Sequence, residues 1–192
     1  MNEVDGVIKY RLDYRPGPLP PAGCIDELFR WFGRCRELRL IGQDPARYGG
    51  FAFGNVSCRA ATGFVVSGTR TGGKRTLGAE DLAWVETFDV AGNWLVAGGP
   101  CRPSSEAMTH GQIYRALPAV NAVIHVHSPL IWDRAQALGL ALTARSAAYG
   151  TPEMAAEVAR LLQACPTRDT GLFVMDGHED GVVAYGARMD TC

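Results

Sequence analysis

The run Asn121 to Ser128, N-A-V-I-H-V-H-S, constrains the fold more than any other stretch of the chain. It is short, apolar and β-branched, and Ser128-Pro129 breaks it, so it predicts a strand. Side chains two residues apart in a strand share a face, which puts His125 and His127 on one side and points Val126 into the opposite layer. Such a strand needs cover on its faces, and the chain supplies helices to provide it. Ile25, Leu28, Phe29, Phe32, Cys35 and Leu38 recur near helical period, and Gly42 follows the end. Thr151 to Cys165 has Thr as cap and Pro at the first helical position. Pro103-Ser104-Ser105 opens a third helix that runs to Pro118, with serines suited to capping and Glu106 in the first turn.

Further strands are predicted at residues 63–66, at 84–89 and 93–98 with a hairpin at Val90-Ala91-Gly92, and at 171–177 and 181–186. Residues 47–59, R-Y-G-G-F-A-F-G-N-V-S-C-R, are dense in glycine and aromatic residues, which suits a strand ending in a tight turn. Val7 to Tyr14 is a leading strand candidate, and Arg15 to Gly23 is too rich in Pro and Gly for a helix or central strand. Strands and helices intermix without repeats. The reading is an N-terminal strand and Pro-rich arm over residues 1–23, followed by one layered α/β domain over 24–192.

A chain of 192 residues buries a core without staples. Its 20 acidic and 19 basic residues nearly cancel, so no basic field advertises nucleic acid, and small neutral or anionic ligands fit better. No apolar run approaches the ~20 residues of a membrane span, so no membrane partner is expected. The six cysteines are scattered without a C-x-x-C pair, and the N-terminus lacks the apolar core of a signal peptide. These features point to a cytoplasmic location, with the cysteines as small buried hydrophobes or loop residues.

The chemistry-bearing residues cluster in a few motifs. His125 and His127 can reach one ion at about 2 Å, although the spacing alone also fits two histidines satisfied in a core. His178 follows a second apolar strand and could complete a three-imidazole set with coordination positions left open. Glu106 is either a simple helix-start acid or a proton-transfer group. His110 lies four residues on, hence on the same helix face, and suits a supporting role. Three segments can hold an anion: Gly54 to Ser57, Ser67-Gly68-Thr69 and Ser104-Ser105, each of which also reads as an ordinary turn or cap. Arg70, Lys74 and Arg75 follow the second closely and could meet a carboxylate instead of a phosphate.

Read in order, G-N-V-S, S-G, P-S-S-E with His four later, A-V-I-H-V-H-S and an apolar strand closing on G-H resemble the class II aldolase and adducin head family. The similarity runs from about Leu28 to Tyr185. It implies a three-layer α/β/α fold around a central, largely antiparallel sheet in a single domain, and a homo-oligomer, commonly a cyclic tetramer, with sites at subunit boundaries. His125, His127 and His178 match the family's zinc ligands, and Glu106 matches the carboxylate that its aldolases use as acid/base. Asn55, Ser67, Gly68, Ser104 and Ser105 match the positions that hold substrate phosphate.

The epimerases of the family carry Asp at the position of Glu106, which favours aldolase or dehydratase chemistry. The resemblance therefore implies a metal-dependent, zinc-first lyase of the aldolase type that acts on a small phosphorylated ketose by enediolate stabilisation. A sugar-phosphate dehydratase or epimerase of the same family, and a non-catalytic adducin-like interaction module, are the alternatives. Two features depart from the pattern. The chain reads Glu179-Asp180 after the last histidine and stops at Cys192, where relatives continue Gly-x-x and end in a further helix. The tyrosine that the aldolases draw into the site has Tyr149 and Tyr185 as its candidates here.

Overall fold

The computed structural model describes residues 7–164 and 169–192. The elements, in chain order, are β1 (Arg11–Pro16), α1 (Ile25–Glu37), β2 (Gly42–Gln43), β3 (Ala52–Phe53), β4 (Asn55–Arg59), β5 (Phe64–Ser67), β6 (Leu82–Asp89), β7 (Trp94–Gly99), α2 (Ala107–Ala116), β8 (Ala122–His127), α3 (Pro129–Trp132), β9 (Ala141–Leu142), α4 (Pro152–Ala164), β10 (Thr170–Val174) and β11 (Gly181–Gly186). Strands β2 and β3 form a small separate ribbon. The other nine make one sheet in the order β1-β7-β6-β5-β4-β8-β11-β10-β9. Its two edge pairs, β1 with β7 and β9 with β10, are parallel, and every other neighbouring pair is antiparallel.

The histidine-bearing strand β8 lies in the interior of this sheet, and all six of its residues are buried. Its alternation divides the core. Val123 joins Met108 and Ile113 of α2 and Met154 and Val158 of α4 in one apolar cluster. Ile124 and Val126 join Leu28 and Phe32 of α1 in the other. Helices therefore cover both faces, which is the expected three-layer α/β/α arrangement. Phe32 and Leu28 are fully buried, and each contributes about 2–3 kcal/mol of apolar transfer free energy.

Several boundaries differ from the sequence reading. The leading strand is shifted from residues 7–14 to β1, which takes in Arg15 and Pro16. Proline is tolerated there because β1 is an edge strand and Pro16 its last residue. The arm is also tied to the body, since Tyr10 is buried in the same cluster as α2 and α4. Glu106 occupies the N-cap position rather than the first turn of α2. The cause is local: the Ser104 hydroxyl accepts the Glu106 amide at 3.2 Å, and the Ser104 carbonyl accepts the Ala107 amide at 3.0 Å, which closes a turn ahead of the helix. Thr151 caps α4 as expected, accepting from the Met154 amide at 3.3 Å. Cys165, expected at the end of that helix, lies outside the described residues.

Two cysteines depart from the expectation of unpaired thiols. Cys24, at the start of α1, is disulfide-bonded to Cys58 on β4 across 34 residues of sequence. No local motif marks such a pair, because the packing of α1 on the sheet creates it. Thiol labelling of the unfolded, unreduced protein is expected to count two fewer than the six cysteines of the sequence; a full count would show the pair open. Among the described residues no helix is long and apolar enough to cross a membrane.

Candidate metal centre and active site

His125 and His127 stand on the same face of β8, as the i, i+2 spacing requires. The neighbouring strands set what meets them: Asn55 of β4 is in register with His125, and Gly181 of β11 with His127. His178 arrives from the turn between β10 and β11. That turn is closed by the amides of His178 and Gly181, which donate to Met175 and His178 carbonyls at 2.9 Å each. Glycine at 181 is required by space, because a Cβ there would lie 2.7 Å from His178 Cδ2. Gly54, at φ +77, serves the same end on β4: it turns the chain beside Ile41, where a Cβ would meet Cγ1 at 2.6 Å, and delivers Asn55 into the sheet.

The three imidazoles are buried, with ring centroids 4.7 to 5.4 Å apart. One ring nitrogen from each falls within 4.8 Å of the others. Burial first, and the neighbouring His178 second, hold His125 and His127 well below the usual imidazole range, so both are neutral. Nδ1 of His125 and both ring nitrogens of His127 are buried without a hydrogen-bond partner among the described residues. Buried polar atoms in that condition are costly unless something outside the chain satisfies them. Neutral nitrogen donors converging on one point fit a divalent ion of zinc type, which takes three protein ligands and leaves a position for substrate.

Glu106 is 3% exposed and lines the same pocket as the triad, together with Asn55, Gly68, Ser104 and Ser105. Its neighbour is the Tyr10 phenol, which burial and then the Glu106 charge push above its ordinary range. Ser67 behaves differently from the other expected anion-holding residues. It is fully buried outside the pocket lining, and its Oγ accepts the Val56 amide at 3.1 Å, fastening β4 to the end of β5. Gly68 lines the wall without a free amide, since its N–H donates to the Asp81 carbonyl at 2.8 Å. A Cβ there would sit 2.4 Å from Cys101 Sγ, so the backbone approaches the pocket only as glycine.

His110 is not a fourth member of the triad: its Nδ1 shares a 2.6 Å hydrogen bond with Ser57 Oγ, which also meets the Tyr114 hydroxyl at 2.8 Å. Burial pushes His110 down to about 3. An unfolded imidazole titrates near 6.5, so the stability from burying it neutral is complete above about pH 6.5 and is lost as pH falls toward 3, at up to about 1.4 kcal/mol per pH unit. His110→Asn, which keeps a side-chain partner for Ser57 but takes no proton, is expected to remove one proton's worth of slope from denaturation free energies between about pH 6.5 and 4. An unchanged slope would contradict the assignment.

Of the two tyrosine candidates the structure brings only Tyr149 to the triad. Its fully buried ring lies 4.7 Å from that of His178, with the Lys9 ammonium 3.7 Å above it. Tyr185 pairs instead with Phe173, at 6.5 Å between ring centroids. Sequence reading missed a second group at the wall. Tyr48 sits edge-on to His127 at 4.5 Å and donates its hydroxyl to Asp180 at 2.5 Å, where Arg47 also binds at 3.2 Å. Asp180, an unexpected residue after the last histidine, thus ties this wall to the β10–β11 turn. The arm adds Tyr10, whose hydroxyl donates to the Ser104 carbonyl at 2.7 Å. No motif announces these residues; tyrosines followed by glycine or basic residues carry no signal of their own.

Two histidines on an interior strand of a covered, mostly antiparallel sheet, a third from the β10–β11 turn and a carboxylate at a neighbouring helix start make an α/β domain whose histidine triad could hold a metal ion. The model of the family described as Class II Aldolase and Adducin N-terminal domain matches residues 44–192, and the chain belongs to that family. Over 115 residues it is 36% identical to a methylthioribulose-1-phosphate dehydratase of Xanthomonas campestris pv. campestris (strain B100), a match that covers 59% of this chain and 48% of that protein. The chain spans about half the length of the curated relatives it matches. Among solved structures, L-fuculose-1-phosphate aldolase from Thermus thermophilus superposes with a TM-score of 0.58 at 21% identity, covering 85% of this chain and 78% of that one. A sugar-phosphate aldolase from Thermotoga maritima gives 0.59 at 15% identity, over 85% and 84%. These two show a shared fold.

Proposed function

We propose that the chain is a metal-dependent lyase for a small phosphorylated ketose, in which His125, His127 and His178 hold the ion and Glu106 moves the proton. The observation that carries this reading is one pocket lined by three buried imidazoles, a buried carboxylate and the Ser104-Ser105 turn. A divalent ion at the triad, zinc first, supplies Lewis-acid polarisation of a substrate carbonyl. Asn55, Ser104 and Ser105 orient the phosphate, so that remote binding energy fixes the reacting carbons beside Glu106.

Dehydration is the reaction we put first, because the relatives at about a third identity are named dehydratases. Glu106 takes the proton from the carbon next to the carbonyl, and that C–H electron pair becomes the new C=C bond. The C–O bond of the hydroxyl one carbon further breaks, and Glu106 returns the proton to the departing oxygen as water. In the aldol cleavage expected from the sequence, Glu106 instead takes the proton of that same hydroxyl, whose O–H electron pair becomes the C=O bond of the departing aldehyde as the C–C bond breaks, and then returns the proton to the carbon left behind. The complete histidine set and Glu106 weigh against a purely structural, adducin-like role. The resemblance supports a homo-oligomer with sites at subunit boundaries. The scattered cysteine pattern supports the cytoplasm, against which the Cys24–Cys58 disulfide stands.

Incubation of the zinc-loaded protein with methylthioribulose 1-phosphate and a panel of other phosphorylated ketoses tests the reading by product mass. A product lighter by one water supports dehydration, and two carbonyl fragments indicate aldol cleavage. No turnover of any phosphorylated ketose would overturn the proposal.

A further inference from the structure

The turn that follows β5 is pinned on every side except its tip. The Thr69 amide donates to the Arg102 carbonyl at 3.0 Å, the Thr71 hydroxyl to the Gly68 carbonyl at 2.7 Å, and the Lys74 amide to the Thr71 carbonyl at 2.9 Å. Gly72 lies so close to the β2–β3 ribbon that a Cβ would stand 2.4 Å from the Phe53 carbonyl oxygen. At the tip Arg70 adopts φ 62, the left-handed region that residues other than glycine and asparagine rarely occupy. A strained backbone in an otherwise over-determined turn points to a use for the side chain it presents.

Arg70 is exposed and lines the pocket of the triad, Asn55, Ser105 and Glu106. Of the neighbouring cations, Lys74 binds Asp81 and Arg47 binds Asp180. Among the described residues Arg70 has no ion pair, and no other arginine or lysine lines that pocket. Hydroxyls and amides orient an anion but do not neutralise it, whereas a guanidinium fork matches two oxygens of a phosphate at once.

We propose that Arg70 is the specificity residue for the anionic end of the substrate: its guanidinium closes over a phosphate seated on Asn55 and the Ser104-Ser105 turn. This rests on the reading of the substrate as a phosphorylated ketose. The left-handed backbone at position 70 is the structural cost of that placement, so stability and binding oppose each other there.

Calorimetric titration of the purified protein with inorganic phosphate, repeated after chelation and with acetate as a second probe, tests this. Arg70→Gln is expected to weaken phosphate binding by about tenfold or more, the size of a lost charge-assisted hydrogen bond, with Arg70→Lys retaining part of the affinity. Arg70→Gly is expected to weaken binding as much while raising the thermal midpoint, a combination that a merely structural role does not produce. With substrate, KM rises and kcat changes little. Wild-type phosphate binding that survives unchanged in Arg70→Gln overturns the role of Arg70 and leaves the phosphorylated-substrate reading standing. Binding that vanishes on chelation in wild type and variant alike assigns the phosphate to the metal and overturns it too. A wild type that binds acetate but no phosphate overturns the phosphorylated-substrate reading itself.

Discussion

Glu106→Gln is expected to leave a folded, metal-binding protein whose turnover is lower by about 10²–10⁴-fold, the usual worth of a positioned general acid/base. The amide fills the same buried space beside the triad and preserves the turn ahead of α2, because that turn is made by the Ser104 hydroxyl and carbonyl and not by the carboxylate. What it cannot do is accept a proton. KM should stay near the wild-type value, since the role proposed for Glu106 lies in the transition state rather than in uniform binding. Glu106→Asp keeps the acid but withdraws it by about one methylene, and near-attack geometry is sensitive to shifts of that size. Steady-state rates measured alongside metal content separate these effects. Turnover of Glu106→Gln within a few-fold of wild type would return Glu106 to a plain helix-start acid.

The second large effect is expected at the triad. His127→Ala should lower affinity for zinc by more than about 100-fold, because even partners that only orient a ligand are worth 10–100-fold. His127 suits the test better than the others: it is 1% exposed, neither ring nitrogen has a hydrogen-bond partner among the described residues, and its removal breaks no internal hydrogen bond there. Loss of the metal should also appear as loss of ligand-linked stability. Zinc at about 1,000 times its dissociation constant adds roughly 4 kcal/mol to the wild type and is expected to add nothing comparable to the variant. Competition against a chromophoric chelator and thermal midpoints with and without zinc read the two effects. Equal zinc stabilisation of both proteins would remove His127 from the ligand set.

The parts of the site legible in the sequence are those whose position follows from local periodicity. A strand fixes the side of every second residue, so H-V-H declared two donors on one face, and the apolar runs on either side of His178 declared a turn able to bring a third. The P-S-S-E start likewise placed a carboxylate at a helix end, although the Ser104 hydrogen bonds shifted it one position outward. What stayed hidden depends on contacts between elements far apart in sequence. Tyr10 and Lys9 reach the site only because β1 adds in parallel to β7 at the sheet edge, a pairing with no local signature. Tyr48 and Asp180 meet across most of the chain, and Cys24 meets Cys58 only because α1 lies against β4. Ser67 shows the converse: the motif groups it with the expected anion-holding residues, yet its hydroxyl accepts the Val56 amide outside the pocket lining, because strand register, and not composition, decides where a serine points.

In the proposed function an ion held by His125, His127 and His178 is the agent that makes Glu106 productive on a phosphorylated ketose. The most direct test is a stoichiometric titration: strip the purified protein with chelator, add zinc in known increments, and measure both bound metal and turnover of the best substrate from the panel at each step. Turnover is expected to be absent in the stripped protein, to rise in proportion to occupancy, and to level off at about one ion per chain, the number that a single three-histidine site holds. Turnover that persists undiminished in the stripped protein, or a protein with intact histidines that takes up no divalent ion at micromolar concentration, would contradict it.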